Sequence, residues 1–353
     1  MRPHELATRG VRRVPRRLLT AARLGPVTTR VGIVVMAAIV VVACAGQPGA
    51  AGPTSAASSA PGPALSTVSS GHTCRPTEPV PPNNELQTIT YAGMPRTYVL
   101  SVPPAYDGSQ AAPLVFDFYG RVGEAQEQVA DFQFDDQAIA AGMLVVTPQA
   151  SPDRDPAKNA WAGDTDLVPA ILKSLEQRWC VDRNAVFVTG FSDGGVFSAY
   201  VACALPGVFA AMGSVAELGF PADCPTAAQF SLVGFHGRSD PLVPFDGGAT
   251  DADDGRNGLP GVPDQLPPSQ PITATFTEFA EHLGCAPEPA RAPVLPGVDH
   301  LTFPGCPSGR AVELFVIDDG GHEWPGDPAP DQAAGPLDAN HVMLQFFLDH
   351  RRG

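Results

Sequence analysis

Three short stretches of this chain hold the residue types that nucleophilic catalysis needs. The first runs from Ala185 to Gly195 and centres on Gly190-Phe191-Ser192-Asp193-Gly194. Val186, Phe187, Val188 and Thr189 suit a buried pleated surface, so the stretch opens as a strand. Past the turn, Val196 to Leu205 reads as a helix. Strand, sharp turn with a central serine, then helix is the setting of a G-x-S-x-G nucleophile elbow. Side chains at Gly190 or Gly194 would collide with the neighbouring strand and helix, which is why glycine stands there. The Asp193 N–H, at the helix start, can point at an oxyanion.

A serine hydroxyl is a poor nucleophile until a base takes its proton. The usual base is an imidazole oriented by a carboxylate. With an elbow of this kind the chain order is Ser, then Asp or Glu, then His. The histidines after Ser192 are His236, His282, His300, His322, His341 and His350. His322 stands in a glycine-rich loop, Asp318 to Gly326, directly after an apolar strand pattern. His282, His341 and His350 fall within helical patterns and read as surface residues, and His300 falls in a late hairpin. For the acid, Asp240 lies just past a strand ending at Phe235, in a turn pinned by Pro241. Asp246 is the second candidate. His236 reads as a structural histidine under the acid loop.

These loops need a scaffold, and the apolar runs supply one. Leu86 to Tyr91 and Arg96 to Val102 alternate around a hairpin turn. Pro113 to Gly120, Met143 to Thr147, Ala210 to Val215, Phe230 to Phe235, Val298 to Phe303 and Ala311 to Ile317 read as strands. Helices are expected over Glu124 to Ala141, Thr165 to Trp179, Ile272 to Leu283 and Asp338 to His350. Within the second of these, Leu167, Val168, Ile171, Leu172 and Leu175 recur at helical spacing. Strands alternating with helices predict an α/β fold with a mostly parallel sheet covered on both faces. Residues 246–270 form a long Gly/Asp/Pro loop. Its segment 251–258 resembles a calcium loop only superficially, because glycine stands fifth where a ligand belongs. It reads as a solvated flap, and no metal or cofactor is expected.

Charge and cysteines bear on location. The first 43 residues hold eight arginines and one acid, Glu5; the rest holds 14 basic and 36 acidic side chains, a formal −22. So acidic a body has no footprint for nucleic acid. Residues 1–43 read as a signal segment: an Arg-rich start, then Val31 to Ala43, 13 apolar residues. That is short of the roughly 20 a membrane span needs and suits a signal core. Val41-Val42-Ala43-Cys44 resembles a bacterial lipobox, with Cys44 as the lipidated residue. Residues 44–72, rich in Ala, Gly, Pro and Ser, read as a flexible tether, and 73–353 as the catalytic domain. The expected placement is therefore export, with a lipid anchor on the outer face of the cell membrane, or secretion. Six cysteines remain, an even number that points to disulfides in an exported chain. Fifteen pairings are possible. Sequence proximity favours Cys203–Cys224 and Cys285–Cys306, leaving Cys74–Cys180.

Three motifs carry a family resemblance: Thr-Gly-Phe-Ser-Asp-Gly-Gly (189–195), His-Gly-Arg-Ser-Asp-Pro-Leu-Val-Pro (236–244) and Gly-Gly-His-Glu-Trp-Pro-Gly (320–326). In this order they resemble the α/β-hydrolases of the polyhydroxybutyrate depolymerase and feruloyl esterase-like family. The resemblance runs from about Leu86 to the C-terminus. It implies an α/β-hydrolase fold, Ser192 as nucleophile, Asp240 as acid and His322 as base. Such enzymes commonly carry His-Gly where the second oxyanion donor arises; here Tyr119-Gly120 stands there. A main-chain donor at Tyr119 or Gly120 survives that change, since it needs no particular side chain. Tyr119 is expected to narrow the acyl pocket, to bond substrate through its hydroxyl, or to pack in the core. Trp324 is expected to stack on the substrate, and Trp161 to pack in the core. The implied activity is hydrolysis of small or oligomeric carboxylic esters of short-chain, hydroxyalkanoate or feruloyl type. A peptidase or acyltransferase would use the same three residues, and a silent envelope-binding lipoprotein would keep the same scaffold.

Overall fold

Apolar runs without polar alternation must be covered on both sides, and the chain folds to do so. A computed structural model describes residues 74–155, 157–248, 255–260, 268–326 and 336–353, all within the compact unit Ala60–Gly353. The expected signal segment, Cys44, the tether, and residues 249–254 and 261–267 of the expected long loop lie outside the described residues.

In chain order the elements are β1 (Glu85–Tyr91), β2 (Met94–Ser101), β3 (Ala112–Phe118), α1 (Ala125–Asp131), α2 (Phe134–Ala140), β4 (Leu144–Pro148), α3 (Leu167–Arg178), β5 (Val181–Gly190), α4 (Asp193–Ala204), β6 (Ala211–Val215), β7 (Ser231–Gly237), α5 (Ile272–His282), β8 (Ala290–Leu295), β9 (Val298–Thr302), β10 (Val312–Ile317) and α6 (Ala339–Asp349). The strands make one 10-stranded sheet in the order β1-β2-β4-β3-β5-β6-β7-β10-β9-β8. The stretch from β4 to β10 is parallel, and an antiparallel hairpin closes each edge. Every residue of β3, β4, β6 and β7 is buried.

Side chains alternate across a strand, and the core divides accordingly. Leu114, Phe116, Val186 and Val188 face one cluster with α3, α4 and α5. Val115, Ala185 and Phe187 face the other, with α2 and α6. In α3 the buried positions are Leu167, Val168, Ile171, Leu172 and Leu175, the five the spacing predicts. Nearly all of α4 is buried, so the helix behind the serine is clamped on every side.

The topology dictates where a site can form. From β3 the chain moves outward to β4; from β5 it moves the opposite way, to β6. Open α/β sheets bind ligands at such a reversal, beyond the carboxyl ends of the strands. Here β3 and β5 lie side by side, with Phe118 level with Gly190, so Tyr119-Gly120 and Phe191-Ser192 emerge together.

Two expectations are corrected. The helix predicted over Glu124 to Ala141 is two helices. The break falls at Phe132-Gln133, where Gln133 takes a left-handed φ of 51°. Phe132 turns to stack on Trp324 at 5.1 Å, and its carbonyl accepts from Asn340 Nδ2 at 2.8 Å. Apolar periodicity along α1 and α2 carries no trace of that distant partner. The second correction is β8, which lay in no predicted strand. Its side chains are all exposed, and its register shifts beside Pro293. Proline is confined to such edges because it cannot donate to a ladder.

Disulfides join Cys74 to Cys180, Cys203 to Cys224 and Cys285 to Cys306. The first ties the start of the described chain to the residue before β5, the strand that carries the elbow.

Candidate active site

Strand β5 delivers Ser192 in a strained conformation, φ 53° and ψ −124°. A non-glycine residue there costs on the order of 1–3 kcal/mol and persists only where its surroundings over-determine it. They do. Ser192 N donates to Val215 O at 2.9 Å, and Phe191 N to Phe118 O at 2.9 Å. A Cβ at Gly194 would stand 2.0 Å from the Phe118 carbonyl oxygen, and one at Gly190 would stand 2.4 Å from the Gly194 carbonyl carbon. The turn is thus folded tightly onto the end of β3.

Ser192 Oγ lies 2.9 Å from His322 Nε2, and His322 Nδ1 lies 2.8 Å from Asp240 Oδ2. The other carboxylate oxygen, Asp240 Oδ1, accepts from Leu242 N at 2.8 Å and Val243 N at 2.9 Å. Burial alone would raise the Asp240 carboxyl. The hydrogen bonds from His322, Val243 and Leu242 outweigh it and hold the carboxyl below the usual carboxylate range. The loops carrying acid and base are laced together at the ends of β7 and β10. Arg238 N donates to Ile317 O at 2.8 Å and Ser239 N to Gly320 O at 3.0 Å. A Cβ at Gly237 would stand 2.2 Å from the Gly320 carbonyl oxygen. The acid and base loops therefore approach through a glycine contact that neither motif reveals alone.

The other candidates lie elsewhere. Asp246 is exposed. His236 is buried under the acid loop, with Nδ1 2.8 Å from Gly237 O and Nε2 3.9 Å from Asp240 Oδ2. Burial pushes its pKa down. His282, His300 and His350 engage Ala228 O, Glu313 and Phe346 O.

A cavity of about 440 Å³ opens beside Ser192 and His322. One wall is the loop 119–123 with α1; the other holds Phe191, Leu242 and Val243, and Phe132 lines it as well. A Cβ at Gly120 would stand 3.3 Å from Ser192 Cβ, so this loop lies against the serine. Among the described residues, the N–H groups of Gly120 and Asp193 donate to no main-chain carbonyl. Arg121 forks onto Asp193, with Nε 3.1 Å from Oδ2 and Nη2 3.0 Å from Oδ1. Ala160 N also donates to Asp193 Oδ2, at 2.9 Å. Burial raises the Asp193 carboxyl against the pull of Arg121. This ion pair ties the loop after β3 to the first residue of α4. The motifs gave no sign of it, because Arg121 and Asp193 stand 72 residues apart.

The aromatic assignments change. Trp324 is buried, stacks behind Phe132 and donates from Nε1 to Asn340 Oδ1 at 2.6 Å. It supports the pocket wall instead of lining it; Phe132 and Phe191 take that position. Phe191 was visible in the serine motif itself, whereas Phe132 required the helix break. Tyr119 borders the cavity, but its hydroxyl turns into the fold, where Gln149 Nε2 and Ala150 N donate to it at 2.8 and 2.9 Å. Its ring packs 4.6 Å from Trp161. Trp161, buried as expected, donates from Nε1 to Tyr119 O at 2.9 Å.

No family model matches the chain. It is 27% identical over 245 residues to feruloyl esterase B of Piromyces equi, across 64% of this chain and 42% of that one. The match thus spans under half of that relative's length. It is 30% identical over 266 residues to a probable feruloyl esterase C of Aspergillus flavus, across 72% of this chain and 84% of that one. Among solved structures, an acetyl xylan esterase from Aspergillus awamori is similar in fold. Its TM-score is 0.51 at 13% identity, over 75% of this chain and 99% of that one.

Proposed function

The chain belongs to the feruloyl esterase-like α/β-hydrolases, a family of carboxylic ester hydrolases, and from that premise we propose that it cleaves esters through Ser192, His322 and Asp240 by way of an acyl-enzyme. The observation that carries the reading is the continuous run of contacts from Ser192 Oγ through His322 to the buried Asp240 carboxylate, at 2.9 and 2.8 Å. Asp240 accepts the Nδ1–H, which leaves the Nε2 lone pair facing Ser192 Oγ. As Oγ attacks the ester carbonyl carbon, Nε2 takes its proton. The carbonyl oxygen becomes an oxyanion, for which the N–H groups of Asp193 and Gly120 are the donors. The C–O bond to the alcohol then breaks, and His322 returns the proton to the departing oxygen. Water repeats the sequence on the acyl-enzyme and releases the acid.

The substrate class we propose is soluble short-chain, hydroxyalkanoate or feruloyl-type esters, which suits a pocket walled by Phe132, Phe191, Leu242 and Val243. Turnover of p-nitrophenyl acetate and butyrate by the full chain, together with labelling by a fluorophosphonate probe, is the expected result. Absence of both would overturn the reading in favour of a silent binding protein.

We further propose export and anchoring through a lipid on Cys44. The three disulfides support an oxidising compartment. Growth in a bacterial host with a labelled fatty acid should mark the full chain and spare Cys44→Ala; label persisting on the variant would rule the site out.

A further inference from the structure

One polar group on the pocket wall has no part in the bond-making steps. Gln128 on α1 borders the cavity that holds Ser192, yet it is only 3% exposed. Its Nε2 lies 3.1 and 3.0 Å from the two oxygens of Asp117, which is fully buried on β3. The two ends of a glutamine amide have nearly the same shape and opposite roles, so a partner that demands the donor sets where the acceptor goes. Burial, with Asp135 nearby, pushes the Asp117 carboxyl well above the usual carboxylate range against the pull of the Gln128 amide. While ionised it can only accept, which holds Nε2 toward it and turns Oε1 away; once protonated, its O–H can donate to Oε1 and release that orientation. Among the described residues nothing donates to Gln128 Oε1. A nearly buried acceptor on a cavity wall calls for a donor from whatever fills the cavity.

The surroundings narrow that donor. Glu127 and Asp131, from the same helix, stand at the cavity rim and as carboxylates can only accept. They would repel an anionic group. Phe132 and Phe191 make the adjoining walls apolar.

We infer that Gln128, oriented by Asp117, is a specificity-determining residue whose Oε1 accepts a hydrogen bond from a hydroxyl group of a neutral, otherwise apolar ester. This rests on the proposed ester hydrolysis at Ser192 and adds to it the feature by which substrates are told apart. Carboxylated analogues of the same size are poor substrates.

Matched esters test it: methyl 4-hydroxycinnamate against methyl cinnamate, and p-nitrophenyl 3-hydroxybutyrate against p-nitrophenyl butyrate, with p-nitrophenyl acetate as the reference. In at least one pair the wild type should favour the hydroxylated member by about 10-fold in kcat/KM, the size expected of one well-placed hydrogen bond. Gln128→Leu should abolish that preference while turnover of the unhydroxylated esters and of the acetate stays within about twofold. Asp117→Asn, which frees the amide to turn over, should raise KM for the hydroxylated member with kcat unchanged, a split that general loosening of the core would not produce. Equal kcat/KM within both pairs for the wild type overturns the inference, whatever the variants do. If the acetate is cleaved in that case, the proposed hydrolysis stands and the inference alone fails; if no ester is cleaved, both fall.

Discussion

Replacing Ser192 with alanine is expected to lower kcat for p-nitrophenyl butyrate by about 10⁶, the scale of losing the nucleophile of a serine triad, and to leave the fold intact. The reason for expecting an intact fold is specific. Ser192 sits at φ 53°, and alanine already takes a comparable φ in this chain, at Ala92 (φ 49°) and Ala216 (φ 64°). The elbow is held through main-chain bonds to Val215 and Phe118, which the substitution leaves in place. The side-chain bond it removes is the 2.9 Å contact to His322. His322 remains anchored to Asp240, so residual turnover comes from the oxyanion donors and substrate binding alone. Kinetics, a thermal melt and fluorophosphonate labelling check this together. Turnover within tenfold of wild type in a normally folded Ser192→Ala protein would mean that another group attacks the ester.

Asp240→Asn is expected to cost on the order of 10⁴ in kcat. An asparagine oxygen can still accept from Leu242 and Val243, so the loop keeps its shape. The amide nitrogen then faces His322 Nδ1 and turns it from donor to acceptor. The proton moves to Nε2, which can no longer take one from Ser192. Asp246→Asn serves as the control: the residue is exposed, and kcat should change by less than about twofold. A steep loss in Asp246→Asn with Asp240→Asn near wild type would exchange the two roles. The same variant has a stability signature. The folded-state pKa of Asp240 is depressed, so its contribution is fully present above the ordinary carboxylate value of about 3.9. It is lost as pH falls through the lowered folded value. Urea unfolding from pH 6 downward should therefore show the wild type losing its advantage over Asp240→Asn at the acid end. A difference that stays constant across the range would contradict this account.

Much of the candidate site was legible because its constraints are local. A serine between glycines, preceded by a β-branched run and followed by an apolar helix, admits few other backbone paths, and the observed turn has them. The acid and base loops each follow a strand, and proline after Asp240 marks a rigid turn. Their mutual approach is another matter. It depends on β7 and β10 lying side by side and on Gly237 meeting Gly320, 83 positions apart in the chain. The cysteine pairs followed from proximity for the two short loops, and the long one remained by subtraction.

The sequence by itself determined the strand–helix rhythm, the elbow and the order of its partners, because hydrophobic period and turn chemistry act over a few residues. Only the tertiary structure decided which side chains line the cavity beside Ser192. Trp324, the obvious aromatic, is packed behind the wall, while Phe132 reaches the cavity by breaking a helix that local periodicity would have continued. Arg121 and Asp193, and likewise Gln128 and Asp117, meet because β3 and β5 end side by side and α1 folds back over them. Such pairings are set by the space between elements and by the demand that buried polar groups find partners. The 72 positions between Arg121 and Asp193 lie beyond any local window, and the 11 between Gln128 and Asp117 become a contact only once α1 has turned back toward β3.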